Sequence, residues 1–310
     1  MKQILIGGSG RSGTTICLHV LYKHPDLYAV PFETKFIVEV DGLADLVNFM
    51  TVNYSVTATE ESKARFKNLL TNVITCRGKN PYKVTDAYGK QEFLIQDIFE
   101  NYDTAIENFM SVIRQNSYFQ DRNELILESK KLIDNLFELK ARSMNKIGWV
   151  EKTPSNISRI EFLNEVYPDN EFVHMIRDPR GVLFSLQRLG WCSTDLDFAS
   201  RQLKQQLQNF ILNRKIAEKK NYKIIDIKLE DLVANTSDIM TKITDFLNIP
   251  EFPQENRNYL IQKLSESSMK YDKNKDRVVD SWERGFNKEQ MSLIQKNLAE
   301  EITLLGYPLV

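Results

Sequence analysis

The chain has 310 residues, enough for one large α/β domain or two modest ones with a substantial core. Its 42% hydrophobic and 27% charged residues are those of a soluble globular protein. A net charge of −1 excludes a global attraction to nucleic acid or to an anionic membrane, so any anion site must be local. Cys17, Cys76 and Cys192 are far apart and lack metal-site spacing, which predicts reduced thiols in a reducing compartment. Met1-Lys2-Gln3 leads straight into an apolar run too short for a signal peptide, and no run reaches the ~18 apolar residues of a membrane span. The expectation is a cytoplasmic protein without a transmembrane segment.

Gln3–Ile6 is a short continuous apolar run, as expected of a buried parallel strand. A Gly/Ser loop follows, Gly8-Ser-Gly-Arg-Ser-Gly-Thr-Thr15, and Thr14–Lys23 reads as a helix ended by His24-Pro25. Tyr28–Val30 is extended and Pro31 closes it. From about 42 to 145 helical periodicity takes over, with helices predicted over Asp41–Asn53, Thr59–Cys76, Glu92–Asn116 and Arg122–Ser143 and a break at Gly78-Lys-Asn-Pro81. This block is expected to be a helical insertion or cap, and the natural seat of acceptor specificity. The α/β pattern resumes with a strand at Ile147–Val150, a loop Glu151–Pro154, and a helix capped by Ser155 or Asn156. A strand at Glu171–Ile176 precedes Arg177-Asp-Pro-Arg180 and a helix to about Arg188. Leu196–Lys220 is a long helix, Lys223–Ile227 a strand, and Thr236-Ser237 is read as the cap of a helix over Asp238–Leu247. Asn287 should cap a last amphipathic helix ending near Gly306. Alternating strands and helices predict a parallel sheet with right-handed crossovers, in a single domain spanning 1–310.

Strand, glycine-rich turn and helix N-terminus together make an anion site, because unpaired backbone N–H groups and the helix dipole point at the ligand. The loop fits two patterns. Read as G-x-G-x-x-G it would bind a dinucleotide, with Glu33 near the distance of the ribose-binding acid. Read as G-x-x-x-x-G it is a phosphate loop in which Thr14 replaces the lysine that neutralises a triphosphate. Arg11 is the one cation of the loop. A ligand with less terminal charge than a triphosphate, such as a sulfuryl group, suits that set. Arg177 emerges at the C-terminal edge of a strand, with Ser185 two turns into the next helix, an arrangement able to grip a second phosphate. No His/Cys/carboxylate cluster suggests a metal, and no basic-aromatic interleaving suggests nucleic-acid binding.

The loop Gly8–Thr15 and the segment Ile176-Arg-Asp-Pro-Arg-Gly181…Ser185 resemble the two signature motifs of the sulfotransferases, which use 3′-phosphoadenosine 5′-phosphosulfate (PAPS). Glu151-Lys-Thr-Pro154, Leu229-Glu-Asp-Leu232 and Trp282…Leu305-Gly-Tyr307 match in the same order. Within the family, Arg11-Ser-Gly-Thr-Thr…His24-Pro-Asp…Glu33-Thr34 is most similar to the tyrosylprotein sulfotransferase branch and its bacterial relatives. The resemblance implies a P-loop NTPase-like α/β fold: a parallel sheet flanked by helices. It further implies PAPS as donor, the 3′,5′-bisphosphate PAP as product, and no metal. Gly10, Arg11, Ser12, Gly13, Thr14 and Thr15 would hold the phosphosulfate; Arg177, Ser185 and Arg277, in the mixed-charge stretch Lys270–Arg277, would hold the 3′-phosphate. Glu33 would be the base, with Lys152 and Arg11 as cations on the transferred group and leaving oxygen. His19, His24 and His174 read as structural, with His24 an outside alternative for the base. The acceptor would be a hydroxyl on a small molecule, glycan, lipid headgroup or peptide tyrosine. Competing readings are a phosphotransferase using ATP and Mg²⁺, and a nucleotide-binding module without catalysis.

Overall fold

A computed structural model describes residues 1–70, 84–85, 92–93, 98–270 and 281–310, with side chains omitted at 84–85, 92–93 and 266–270. Its main sheet has five strands: β1 Lys2–Gly8, β2 Leu27–Ala29, β5 Gly148–Lys152, β6 Glu171–Ile176 and β7 Ile224–Lys228. Their order is β2-β5-β1-β6-β7, and helices flank the sheet. The pairs β2–β5 and β6–β7 are parallel. This is the α/β sheet expected from the alternation of short apolar runs and amphipathic helices. β1, β5 and β6 are almost wholly buried, as strands covered on both faces must be.

By its internal contacts the chain divides into two compact units, residues 1–5 with 25–171 and residues 6–24 with 172–310. The first carries β2, β5 and the helical block. In that block α2 is Leu43–Met50, α3 Val56–Asn68, α4 Tyr102–Gln115 and α5 Arg122–Ile133, which continues through a π turn at Asp134–Glu138 into α6 Leu139–Ser143. Ser55 and Asp121 cap α3 and α5 by accepting from backbone N–H groups. A chain of ring contacts, Phe32–Phe99–Phe137–Trp149–Tyr167, runs through this unit at centroid spacings of 6.2, 5.5, 5.2 and 5.4 Å. Such edge-on and tilted pairs fix ring orientation beyond what area burial does.

The second unit carries the Gly/Ser loop, helix α1 Thr14–Tyr22, β6, β7 and the helices α10 Leu229–Ala234, α11 Thr236–Leu247, α12 Gln254–Lys270 and α13 Trp282–Gly285. Helices α8 Pro179–Arg188, α9 Leu196–Lys219 and α14 Lys288–Leu304 share a core of Val182, Leu183, Leu203, Leu207, Trp282, Phe286, Ile294, Leu298 and Ile302. Asn287 caps α14 in a reciprocal box with Gln290, as its position predicts.

Four expectations need correcting. Glu151 and Lys152 are not loop residues but the last two of β5. Neither Ser155 nor Asn156 caps the next helix, because a 3₁₀ turn starts at Pro154 and their side chains go to Glu39 and Glu151 instead. Thr236 is the first residue of helix α11, Thr236–Leu247, and its hydroxyl donates to the Leu232 carbonyl rather than capping. The helix expected over Glu92–Asn116 is not continuous: Glu92–Phe93 pairs antiparallel with Val84–Thr85, Phe99–Asn101 form a break, and α4 begins at Tyr102, with 94–97 outside the described residues. Short apolar runs are ambiguous between strand and helix, and here strand pairing won. The break at 78–81 and the end of the helix expected over Thr59–Cys76 fall outside the described residues.

Candidate active site

The anion loop belongs to the second unit. β1 ends at Gly8, where a Cβ would lie 2.3 Å from the Met175 carbonyl oxygen, so only hydrogen fits. The chain then turns tightly: the N–H and the hydroxyl of Ser12 both donate to the Ser9 carbonyl, at 3.1 and 2.7 Å. Arg11 holds the turn with a left-handed φ of 70°. Gly13, at φ 94°, leads into α1, and a Cβ there would meet Leu229 Cδ1 at 2.6 Å. No side chain caps α1, so its first amides and the positive end of its dipole face the loop. Ser12 and Thr14 are buried, whereas Gly10, Arg11 and Thr15 are exposed.

Arg177 joins this loop from the end of β6. Its Nη1 donates to the Arg11 carbonyl at 3.1 Å, while Arg11 Nε donates to Ser185 Oγ at 3.0 Å. The exposed Trp191 ring lies 5.4 Å from the Arg11 guanidinium, within cation–π range. Burial pulls the Arg177 guanidinium below its ordinary value, and Glu230, Arg11, Asp178 and Tyr307 modulate that shift with opposing signs. Asp178 pairs with Arg180 rather than Arg177. Arg180 Nε and Nη2 reach its two oxygens at 2.9 and 2.6 Å, and Asp178 also caps α8 through Arg180 N–H. Arg180 is almost wholly buried, 4.1 Å from the Trp282 ring, with Nη2 also donating to the Pro308 carbonyl. Glu230 accepts from the Asp178 amide at 3.2 Å and from the Tyr307 hydroxyl at 2.7 Å. The turn carrying Arg177 is thus held from its C-terminal side by a bidentate ion pair and a carboxylate.

The first unit brings together the other two candidates. The Val30 amide donates to Val150 at 2.8 Å, extending the β2–β5 pairing by one residue. The chain continuing past Pro31 then runs beside the end of β5, and Lys152 Nζ meets Glu33 Oε1 at 2.5 Å. The Lys152 side chain is 5% exposed and that of Glu33 31%, so the carboxylate is the accessible half of the pair. Glu151 is buried beside them. Its Oε1 accepts from Thr34 Oγ1 at 2.9 Å and Thr153 Oγ1 at 2.7 Å, and its Oε2 from Asn156 Nδ2 at 2.7 Å. Burial pushes the Glu151 carboxyl above its ordinary value, against the pull of those three donors and of Lys152.

The structure therefore gathers Arg11, Arg177 and Ser185 about the loop, and pairs Glu33 with Lys152, two residues the sequence offered separately as base and cation. Arg277 lies outside the described residues. His24 is buried, its Nε2 2.8 Å from the Pro250 carbonyl, and His174 Nδ1 lies 2.8 Å from Asp226 Oδ1, contacts that suit the structural reading. Trp191, Arg180, Tyr307 and Thr34 are site neighbours to which sequence reasoning gave no role; three of them lay inside or beside quoted motifs, and Trp191 had no signal at all.

A family model described as "Sulfotransferase family" matches residues 3–254, most of the chain. Comparison with curated proteins finds no match. Among solved structures, the chain is similar to the sulfotransferase domain from the Synechococcus PCC 7002 olefin synthase, at 18% identity and TM-score 0.56, covering 100% of this chain and 95% of that one. It is similar to the sulfotransferase domain from the curacin biosynthetic pathway at 17% identity and TM-score 0.52, covering 100% and 99%. Sulfotransferase STF9 from Mycobacterium avium matches at 16% identity and TM-score 0.50, covering 99% and 78%. At such identities the structural likenesses speak for the fold alone, and the family model carries the assignment. A lysine-free anion loop, a second arginine–serine pair and a matching family model lead to one conclusion: this chain belongs to the sulfotransferase family.

Proposed function

We propose that the protein transfers a sulfuryl group from PAPS to a hydroxyl acceptor by in-line displacement, as a single functional domain. The observation that carries this reading is the loop cluster: Arg177, Arg11 and Ser185 linked at 3.0–3.1 Å around an anion loop with threonine at the kinase-lysine position. A buried guanidinium and an uncapped helix N-terminus stabilise phosphate oxygens without the loop lysine that a triphosphate demands. Gly10–Thr15 hold the phosphosulfate end of the donor in this reading, and Arg177 and Ser185 hold its 3′-phosphate, with Arg277 as a further candidate.

Glu33 takes the acceptor proton as the acceptor oxygen bonds to sulfur. Lys152 and Arg11 offset the charge that grows on the departing oxygen as the old S–O bond breaks and the bisphosphate leaves. Sulfuryl transfer passes through a loose transition state with charge on the equatorial oxygens, so positioning and electrostatics supply most of the rate. The Glu33–Lys152 pairing fits such a role: the ammonium fixes the position of a carboxylate that is itself partly exposed, where an acceptor hydroxyl can reach it. The acceptor class stays at the level of a hydroxyl.

Calorimetric titration with adenosine 3′,5′-bisphosphate and with ADP, each with and without Mg²⁺, tests the reading. The expected result is metal-independent binding of the bisphosphate, much tighter than ADP, and weakened about 10²-fold in Arg177→Ala. Preference for ADP with Mg²⁺ would overturn it in favour of phosphoryl chemistry.

A further inference from the structure

We infer that Thr34 and Glu151 form a positioning clamp that sets the geometry of the Glu33–Lys152 pair, an inference that rests on the functional reading above. The argument begins with register. Glu33 and Thr34 are adjacent in one segment, and Glu151 and Lys152 are adjacent in the other. The two segments cross-link twice in succession, Glu33 to Lys152 at 2.5 Å and Thr34 to Glu151 at 2.9 Å. A third link follows from Ser155 Oγ to Glu39 Oε1 at 2.8 Å. The same two stretches, 33–39 and 151–155, are thus tied at three places. The paired base and ammonium lie one residue from the buried tie.

That buried tie is made of a carboxylate, which burial penalises. Glu151 is 1% exposed and Thr34 is 0% exposed. An apolar side chain could fill the position of Glu151 at less cost in desolvation. What an apolar side chain could not do is collect three directional hydrogen bonds, from Thr34, Thr153 and Asn156. Those bonds fix the backbone on both sides of Lys152 and immediately after Glu33. The next residue, Lys35, turns the chain with a left-handed φ of 53°, unusual outside glycine, directly after the Thr34 contact.

The test removes one hydrogen bond and no volume: Thr34→Val, with Thr34→Ser as the conservative rescue. Competitive acetylation with acetic anhydride, followed by mass spectrometry, reads the reactivity of each lysine in the protein without ligands. Lys63 is the internal control, since it is also buried in the first unit, bonded to Glu60 and the Asn116 carbonyl. The expected result is that Lys152 labelling rises about fivefold in Thr34→Val, the worth of one buried hydrogen bond, while Lys63 is unchanged and Thr34→Ser labels like the parent. Unchanged Lys152 labelling would overturn the clamp. So would a rise shared by Lys63, which reports general loosening rather than positioning. Failure of the transferase reading shows separately, as absent bisphosphate binding by the parent protein, and leaves the labelling result interpretable.

Discussion

The two units treat their cations differently. In the second, Arg177 and Arg11 bond to neutral acceptors, a carbonyl and a hydroxyl, and Arg11 leans on an aromatic face. In the first, Lys152 is tied to the Glu33 carboxylate. The Glu230 and Asp178 carboxylates support the Arg177 charge against the cost of burial, so its bond to the Arg11 carbonyl is one part of a wider charge balance. The ion pair in the first unit fixes the two side chains against each other, with the Lys152 ammonium directly beside the Glu33 carboxylate. The two clusters thus differ in what each cation is bonded to: a carbonyl or a hydroxyl beside the anion loop in one, a carboxylate in the other.

Variants of either cluster should separate binding from turnover. The largest effect is expected from Arg177→Ala, which should cost roughly 3 kcal/mol of bisphosphate binding, about 10²-fold in Kd by calorimetry. An unchanged Kd would erase the distinction between the units. Next comes Glu33→Gln, which keeps shape and a hydrogen bond but no basicity. It should lower turnover by ~10²-fold while bisphosphate affinity holds within about twofold. If affinity fell with turnover, Glu33 would belong to binding. Gly13→Ala probes the loop itself. A φ of 94° and Leu229 at 2.6 Å both oppose a methyl group, so thermal melting should show a loss of about 1–3 kcal/mol. Smallest is Trp191→Ala. Loss of an exposed cation–π contact worth about 0.5–1 kcal/mol should weaken bisphosphate binding roughly two- to fivefold. Trp149 and Trp282 are buried while Trp191 is exposed, so the part of the tryptophan emission open to a soluble quencher should come from Trp191 and fall on ligand arrival.

Much of this was legible in the sequence where local rules suffice. Glu171–Ile176 and the helix ending at Arg188 were readable because a compact apolar run is followed by Asp-Pro, an N-cap and a first-turn proline. The long helices Leu196–Lys219 and Lys288–Leu304 announce themselves by period and cap. The helix Gln254–Lys270 did not. Of its described side chains only Leu260 and Leu264 are buried hydrophobics, too thin a stripe to stand out. The site divides the same way. Glu33, Lys152, Arg177 and Ser185 could be picked out by type and by motif. Their pairing could not, since Glu33 and Lys152 stand 119 positions apart and meet only through the β2–β5 register. The Tyr307–Glu230 link and the Arg180–Trp282 stack are tertiary facts of the same kind.

The second unit is assembled from residues 6–24 and 172–310. The anion loop is therefore made well before Met175 and Leu229, against which Gly8 and Gly13 close. Contacts of such long sequence separation carry a large loop-closure cost and slow folding. During synthesis the loop has no strand to rest on and no Arg177 beside it, so nucleotide cannot assist the early stages. Ligand can act as a folding aid only at the end, by favouring the finished second unit over its open forms.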